Sequence, residues 1–373
     1  MNLIVALVIA SLVYIVQKRL YAKWWNRNLD VTISFEDTCV REGDASALTE
    51  VIYNGKFLPL PVFHVKFSID RSFRFADTEN TVVTDSYYRN DVFSVLGYRK
   101  ITRRLPFQTG KRGLYGIPSL NMTARDFFMT TNFAYSRKSD AWLYVLPKRV
   151  ASPELSMFCS HLLGELETRR NQMEDPYTFR GIREYTYGDT YGKINWKATA
   201  KASKLMVNMY GYTSEQRVRI LLNLETNIMV KTEYLQEMSI RMAGTIAEYF
   251  LQHKVSVELV SNGIDCMTGA CERVEAGMSM EHGETIDKYL ARIKENAGID
   301  AFMQMVDTEI QQMEEPITYV IISPYYKEDL LLKLDYMHKK HPELHMVVPY
   351  YDIQDKTGWR GYMQGVEVKW NEI

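Results

Sequence analysis

"RVRILLNLE", Arg217 to Glu225, reads as a buried apolar strand, and the pattern of the residues after it decides the fold. "TEYLQEMSIRMAGTIAEYFLQH" places Leu235, Met238, Met242, Ile246 and Tyr249 at helical spacing. "VSVELVSNG" is a second strand that ends in a turn. "GETIDKYLARIKENA" and "AFMQMVDTEIQQM" read as helices, and "ITYVIISP" as a third strand. The helix "KEDLLLKLDYMHKK" and a fourth strand, "HMVVPYY", complete the series. Such alternation predicts a mainly parallel sheet with helices on both faces across residues 217–373.

Outward from that region the patterning changes. Over residues 28–148 the period is two. Val31, Ile33 and Phe35 alternate with polar residues, as do Phe63, Val65, Phe67 and Ile69. "REGD", "NGKFLPLP" and "QTGKRGLYGIP" supply turns between such runs. This predicts an antiparallel β-sandwich whose last strand is "WLYVLP", Trp142 to Pro147. Residues 149–216 read as a linking helix, "PELSMFCSHLLGELETRR", followed by "REYTYGDTYGKINWKATAKASKL", Arg183 to Leu205.

Residues 1–27 form a separate element. Met1 to Val16 carries no charged side chain. As a helix it is roughly 24 Å long against a hydrocarbon core of about 30 Å. Leu20, Tyr21, Trp24 and Trp25 extend the apolar reach, while Lys18, Arg19 and Lys23 can snorkel. A cleaved signal peptide wants bases before the apolar run and small residues after it. Here the bases come after, which favours an uncleaved single-pass anchor. Lys18, Arg19, Lys23 and Arg27 all lie C-terminal to the run, so the positive-inside rule puts the bulk of the chain in the cytoplasm.

The bulk numbers set outer bounds. A chain of 373 residues with 46% apolar and 24% charged side chains is globular, and too long for one small core. A formal net charge of −1 gives no whole-chain bias toward nucleic acid. Cys39, Cys159, Cys266 and Cys271 are scattered and make a poor zinc pattern. His338, His341 and His345 are tempting ligands beside Asp335. Pro342 ends the helix between them, so they do not share one helical face.

The order of parts resembles the domain-of-unknown-function-58 family, bacterial proteins with a von Willebrand factor type A-like domain that are typically encoded beside MoxR-type AAA ATPases. The family's box reads Arg-x-Tyr-x-x-Gly-Asp, a spacer, then Ile-Asp-Trp-Lys and small residues. Arg183, Tyr185, Gly188, Asp189, Ile194, Trp196 and Lys197 match it in place. "KRGLYGIPSL", Lys111 to Leu120, resembles the family's Arg-Gly-x-Tyr turn, and "ARDFF", Ala124 to Phe128, its Arg-Asp-Pro-Phe element. Departures include Asn195 for the usual Asp, Gly192-Lys193 for a spacer arginine, and "ATAK" for Ser-Ala-Arg.

The resemblance implies an α/β plus all-β chain: a transmembrane helix, an antiparallel β-sandwich and a Rossmann-like type A-like domain. Type A domains hold Mg²⁺ through an Asp-x-Ser-x-Ser run at the end of their first strand. The corresponding positions here are Asn223, Glu225 and Asn227, so a degenerate site without metal is expected. The loop after the third strand reads Ser323-Pro324-Tyr325.

No nucleophile elbow and no phosphate loop is present in the sequence. No cofactor is expected. The resemblance implies a non-catalytic, membrane-anchored adaptor whose partner is a MoxR-type AAA ATPase, acting in protein assembly or maturation. A hydrolase of envelope polymers using Asp189 and Glu184 is the alternative, as is a phosphate or nucleic-acid binder using lysines. Within the box, Lys193, Lys197, Lys201 and Lys204 would line one face of a helix begun at Lys193. Tyr185 and Trp196 are expected to pack the segment onto the α/β domain. Gly188-Asp189 fits a tight turn in which Asp189 caps the segment after it. The oligomeric state is open.

Overall fold

The computed structural model describes residues 2–75, 81–83, 86–172, 175–211, 216–225, 232–296, 298–312, 317–350 and 359–367. The chain divides into two compact units, Met1–Lys148 and Arg149–Ile373.

The first unit begins with helix α1 (Asn2–Trp24), which is apolar and long enough to cross a membrane. Ten strands come after it: β1 (Leu29–Phe35), β2 (Cys39–Arg41), β3 (Ala45–Asn54), β4 (Leu60–Asp70), β5 (Phe73–Phe75), β6 (Thr81–Val83), β7 (Ser86–Val95), β8 (Arg99–Thr109), β9 (Gly113–Arg125) and β10 (Asn132–Leu146). They form a four-stranded sheet, β1-β3-β8-β5, and a six-stranded sheet, β2-β10-β9-β4-β7-β6. Alternation drives this arrangement. Phe63, Val65, Phe67 and Ile69 of β4 are buried, and so are Val31 and Ile33 of β1. Phe35, Phe73, Phe75 and Phe107 cluster between the sheets, with Phe73 and Phe107 edge to face at 5.0 Å.

The turn at Lys111–Leu120 is packed into this unit. Tyr115 stands edge-on to Phe73 at 4.9 Å and donates its hydroxyl to Lys111 O at 2.9 Å. Gly116 leaves room for Trp142, whose ring would lie 2.4 Å from any Cβ there. The end of α1 belongs to the same core. Tyr21 and Trp25 are buried, and Trp25 stacks on Phe133 at 6.1 Å. Aromatic rings of this kind bury roughly 150–250 Å² each, so the helix end is held by several kcal/mol at about 25 cal/mol per Å².

The second unit contains α2 (Pro153–Gln172), β11 (Asp175–Glu184), α3 (Trp196–Ala202), β12 (Met206–Gly211), β13 (Arg217–Leu222), α4 (Thr232–Gln252), β14 (Ser256–Asp265), β15 (Cys271–Gly277), α5 (Met280–Arg292), β16 (Ile293–Asn296), α6 (Ile299–Gln311), β17 (Ile317–Ile322), α7 (Glu328–Lys340), β18 (Leu344–Tyr350) and β19 (Met363–Glu367). A seven-stranded sheet runs β15-β14-β13-β17-β18-β19, with β16 also on β14. The pairs β13–β14, β13–β17, β17–β18 and β18–β19 are parallel, and β15 and β16 are antiparallel to β14.

Both faces of the sheet are covered. Val218, Ile220, Leu222, Val320 and Ile322 face α4 and α5, while Ile317, Tyr319 and Ile321 face α6 and α7. Every residue of β17 is buried, as a doubly covered central strand requires. Two expectations need correction. Helix α2 is no mere linker: Leu155, Cys159, Leu162 and Leu166 fall on one helical face and join the core with α4. "KEN", expected to extend a helix, is strand β16, because α5 ends at Arg292 and Ile293 turns into the core beside β14. Beneath α6, Arg219 bridges Glu258 at 2.7 Å and also bonds Glu309. Glu309 in turn bonds Arg273, so the buried charges compensate one another.

Candidate functional site

Two places carry the residues that the sequence singles out. The first is an arm. β11 and β12 pair antiparallel in a two-stranded sheet of their own, and the box lies between them. Its turn is organised by one ion pair. Arg183 Nη1 donates to Asp189 Oδ2 at 2.7 Å, and Nη2 to Oδ1 at 2.5 Å. Asp189 Oδ2 also accepts from the Thr186 N–H at 2.8 Å. The Arg183 hydrogen bonds, reinforced by the Thr186 N–H, hold the Asp189 carboxyl well below the usual carboxylate range. Gly188 between them has φ +114°, which an L side chain rarely adopts. Asp189 thus closes the turn behind it rather than capping the segment ahead.

The cap is Asn195. Its Oδ1 accepts from Ala198 N at 2.9 Å and starts α3, while Nδ2 donates to Asn208 Oδ1 on β12 at 2.7 Å. Asparagine suits this position, since its side-chain oxygen satisfies a free N–H at the start of the helix. Thr199 Oγ1 accepts from Met206 N at 3.0 Å, and Ile194, itself buried, bridges Val207. Ser203, at φ +55°, ends the helix.

The arm overturns two expectations. Trp196, the first residue of α3 after its Asn195 cap, is 69% exposed. It does not pack onto the α/β core. Tyr185 is half-buried, but it stacks on the exposed Tyr191 at 6.2 Å. The four-lysine stripe also shortens. Lys193 sits in a 3-10 turn before α3, and Lys204 lies after it and pairs with Glu184 at 3.0 Å. Lys197 and Lys201 remain as neighbours on α3, both exposed. The arm presents Tyr187, Tyr191 and Trp196 to solvent together with these two bases.

The second place is the carboxyl end of the parallel strands, where open α/β sheets bind ligands. Asn223 is fully buried there. Its Nδ2 donates to Ser323 Oγ at 3.0 Å, and its Oδ1 accepts from Asn262 Nδ2 at 2.9 Å and Glu225 N at 3.0 Å. Asn262 Oδ1 accepts from Leu224 N at 2.9 Å, and Ser323 Oγ donates to Tyr325 O at 2.7 Å. The amides knit the three strand ends together. Burial and the hydrogen bond to Asp329 push the Tyr325 hydroxyl up to about 12.

This donor set does not fit a hard dication. Asn223 brings no charge, its oxygen already accepts two hydrogen bonds, and its nitrogen faces the serine a metal would need. Glu225 is half-exposed, and Asn227 lies outside the described residues. The three histidines do not converge. His338 lies on Tyr362 at 5.0 Å, His341 on Tyr319 at 5.4 Å and His345 on Phe158 at 6.1 Å. Among the described residues there is no group of three or more His, Cys, Asp or Glu placed to hold a metal.

Sequence reasoning missed Asn262 and Gln236, whose Nε2 donates to Leu224 O at 2.8 Å. The polar Ser261-Asn262 pair ending an apolar run was the available signal for the first.

No protein-family model matches this sequence, and no curated protein does. Among solved structures it is similar to the CARDB domain of the PF1109 protein from Pyrococcus furiosus (13% identity, TM-score 0.19, 30% of this chain and 93% of that one). It is also similar to a non-cellulosomal cohesin from Archaeoglobus fulgidus (12% identity, TM-score 0.21, 31% of this chain and 91% of that one). A third is a cohesin module from a Clostridium perfringens family 33 glycoside hydrolase (9% identity, TM-score 0.21, 31% of this chain and 97% of that one). Likeness at this level carries no argument about function.

Proposed function

We propose that this chain is a membrane-anchored, non-catalytic adaptor that works with a MoxR-type AAA ATPase in assembling or maturing other proteins. Its second unit is read as a von Willebrand factor type A-like domain that acts without a metal. The partner and the family come from the resemblance of the box. The observation that carries the adaptor reading is the exposure of Trp196, and of Tyr191 and Lys197, on an arm already ordered by the Arg183–Asp189 pair. Exposed aromatic and basic side chains on a rigid frame suit protein contact, because little ordering entropy is lost on binding. The closed amide network at Asn223 supports the same reading, since a metal-bridged acidic ligand has no seat there.

Anchoring rests on α1. Burial of Tyr21 and Trp25 in the sandwich supports retention of the helix, because cleavage before them would strip the core of two aromatics. The bases C-terminal to the apolar run support a cytoplasmic location for the bulk of the chain. Purification of the tagged full chain from solubilised membranes tests the proposal. A MoxR-type ATPase is expected to co-purify. Its absence, with an envelope-polymer fragment or nucleic acid recovered instead, would replace this reading with one of the alternatives.

A further inference from the structure

One end of the β-sandwich carries α1, and the loops around that helix expose apolar side chains. Strand pairing puts them there. Leu29 pairs with Asn54, Asn54 with Arg99, Leu60 with Val95 and Phe63 with Ala124. The loops 55–59, 96–98 and 126–131 therefore all turn where α1 enters β1. Asn54 Nδ2 ties two of them, donating to Leu58 O at 2.9 Å and Leu96 O at 3.1 Å. The Tyr21 hydroxyl donates to Pro59 O at 2.8 Å. Gln17 Nε2 donates to Asp126 Oδ2 at 2.6 Å, and the Tyr14 hydroxyl to Thr130 Oγ1 at 3.2 Å.

On this frame Phe57, Leu96, Tyr98, Phe127, Phe128 and Met129 stand exposed, Phe57 by 83%. Tyr98 and Met129 do so from left-handed backbone, φ +55° and +57°, where glycine or asparagine sits more easily. Turn geometry alone does not account for a tyrosine and a methionine at those positions.

The helix sets a depth for these loops. At about 1.5 Å per residue, Tyr14 lies roughly 6 Å beyond Lys18 toward the apolar end. The Phe128 ring is 6.3 Å from the Tyr14 ring, so the tip of loop 126–131 reaches past the first basic residues. Aromatic side chains beside lysines and arginines are the pattern of a membrane–water interface.

We propose that these three loops form a collar seated in the interfacial zone of the bilayer that α1 crosses. This rests on the anchoring reading and goes beyond it: the sandwich is held against the lipid surface rather than hung from a flexible stalk. The occupant is lipid because the patch is continuous with a span that acyl chains must surround. Lys18, Arg19 and Lys23 at the same level suit anionic headgroups.

The test is photocrosslinking of the full chain in vesicles of phosphatidylcholine with a minority of phosphatidylglycerol. A diazirine side chain replaces Phe57, Leu96 or Phe127 in turn, with Leu7 in the helix and Lys111 at the opposite sandwich end as references. Lipid adducts are expected from the three loops and from Leu7, and none from Lys111. Adducts at Leu7 alone would overturn the collar and leave the anchor standing. No adduct at Leu7 would remove the anchor and the collar with it. Adducts to protein rather than lipid from the loops would also overturn the proposal.

Discussion

Arg183 and Asp189 meet end-on across a turn of the arm, the two terminal guanidinium nitrogens each on one carboxylate oxygen, at 2.7 and 2.5 Å. The pair is solvent-accessible, yet it fixes the loop from which Tyr187 and Tyr191 project.

That pair has a titration signature. The Asp189 carboxyl is held below its ordinary value by the Arg183 hydrogen bonds and then by the Thr186 N–H. A depressed folded pKa contributes order that is complete at neutral pH. That contribution fades only as pH falls below about 4, the unfolded value. A carbon-13 titration of the side-chain carboxyls is expected to place Asp189 well under that value, and Arg183→Ala to return it upward. A wild-type midpoint at or above about 4 would contradict the geometry.

Asn223→Asp is expected to destabilise the α/β unit. The carboxylate would lose the donor that faces Ser323 Oγ. Turning the Ser323 hydroxyl toward it would leave Tyr325 O without its hydrogen bond. An unsatisfied buried group costs about 1–3 kcal/mol, and millimolar Mg²⁺ should not restore melting. In the wild type, calorimetry should show no saturable heat with Mg²⁺. A one-site isotherm that Glu225→Ala abolishes would overturn this account of the strand ends.

The sandwich contains a pH-sensitive carboxyl. Burial, followed by the charge of Asp91, pushes Glu50 up to about 8. The native state then binds a proton that the unfolded chain gives up near pH 4.3. Stability attributable to Glu50 therefore falls as pH rises from about 4.3 to 8 and is level above that. Glu50→Gln should flatten this slope and raise stability at pH 8 by more than about 1 kcal/mol. Melting curves of variant and wild type that stay parallel across the window would exclude the effect.

Much of the architecture was readable because burial leaves a period. Phe63, Val65, Phe67 and Ile69 announce a half-buried strand, and the apolar runs at Arg217 and Ile317 a doubly covered sheet. β15, β16 and β19 were not readable, since short strands toward a sheet edge carry mixed residues. Trp196 was misjudged for a different reason. Hydrophobicity predicts burial, but α3 is held through the Asn195 cap and the Thr199–Met206 hydrogen bond, which leave Trp196 exposed. The Asn223 network joins residues 39 and 100 positions apart, so its polar residues look unrelated until the strands are aligned.

The central claim is that the exposed face of the arm is a contact surface. Capture of the proposed partner, a MoxR-type ATPase, by the solubilised full chain tests it most directly, comparing wild type with Trp196→Ala and with Lys197→Glu/Lys201→Glu. Because these side chains are exposed, melting should move by no more than about 0.5 kcal/mol. Capture should fall about tenfold or more on loss of a tryptophan anchor. The lysine reversals should weaken it more at low salt than at high salt, where screening already blunts the wild-type attraction. Capture unchanged in both variants, with melting intact, would contradict the claim.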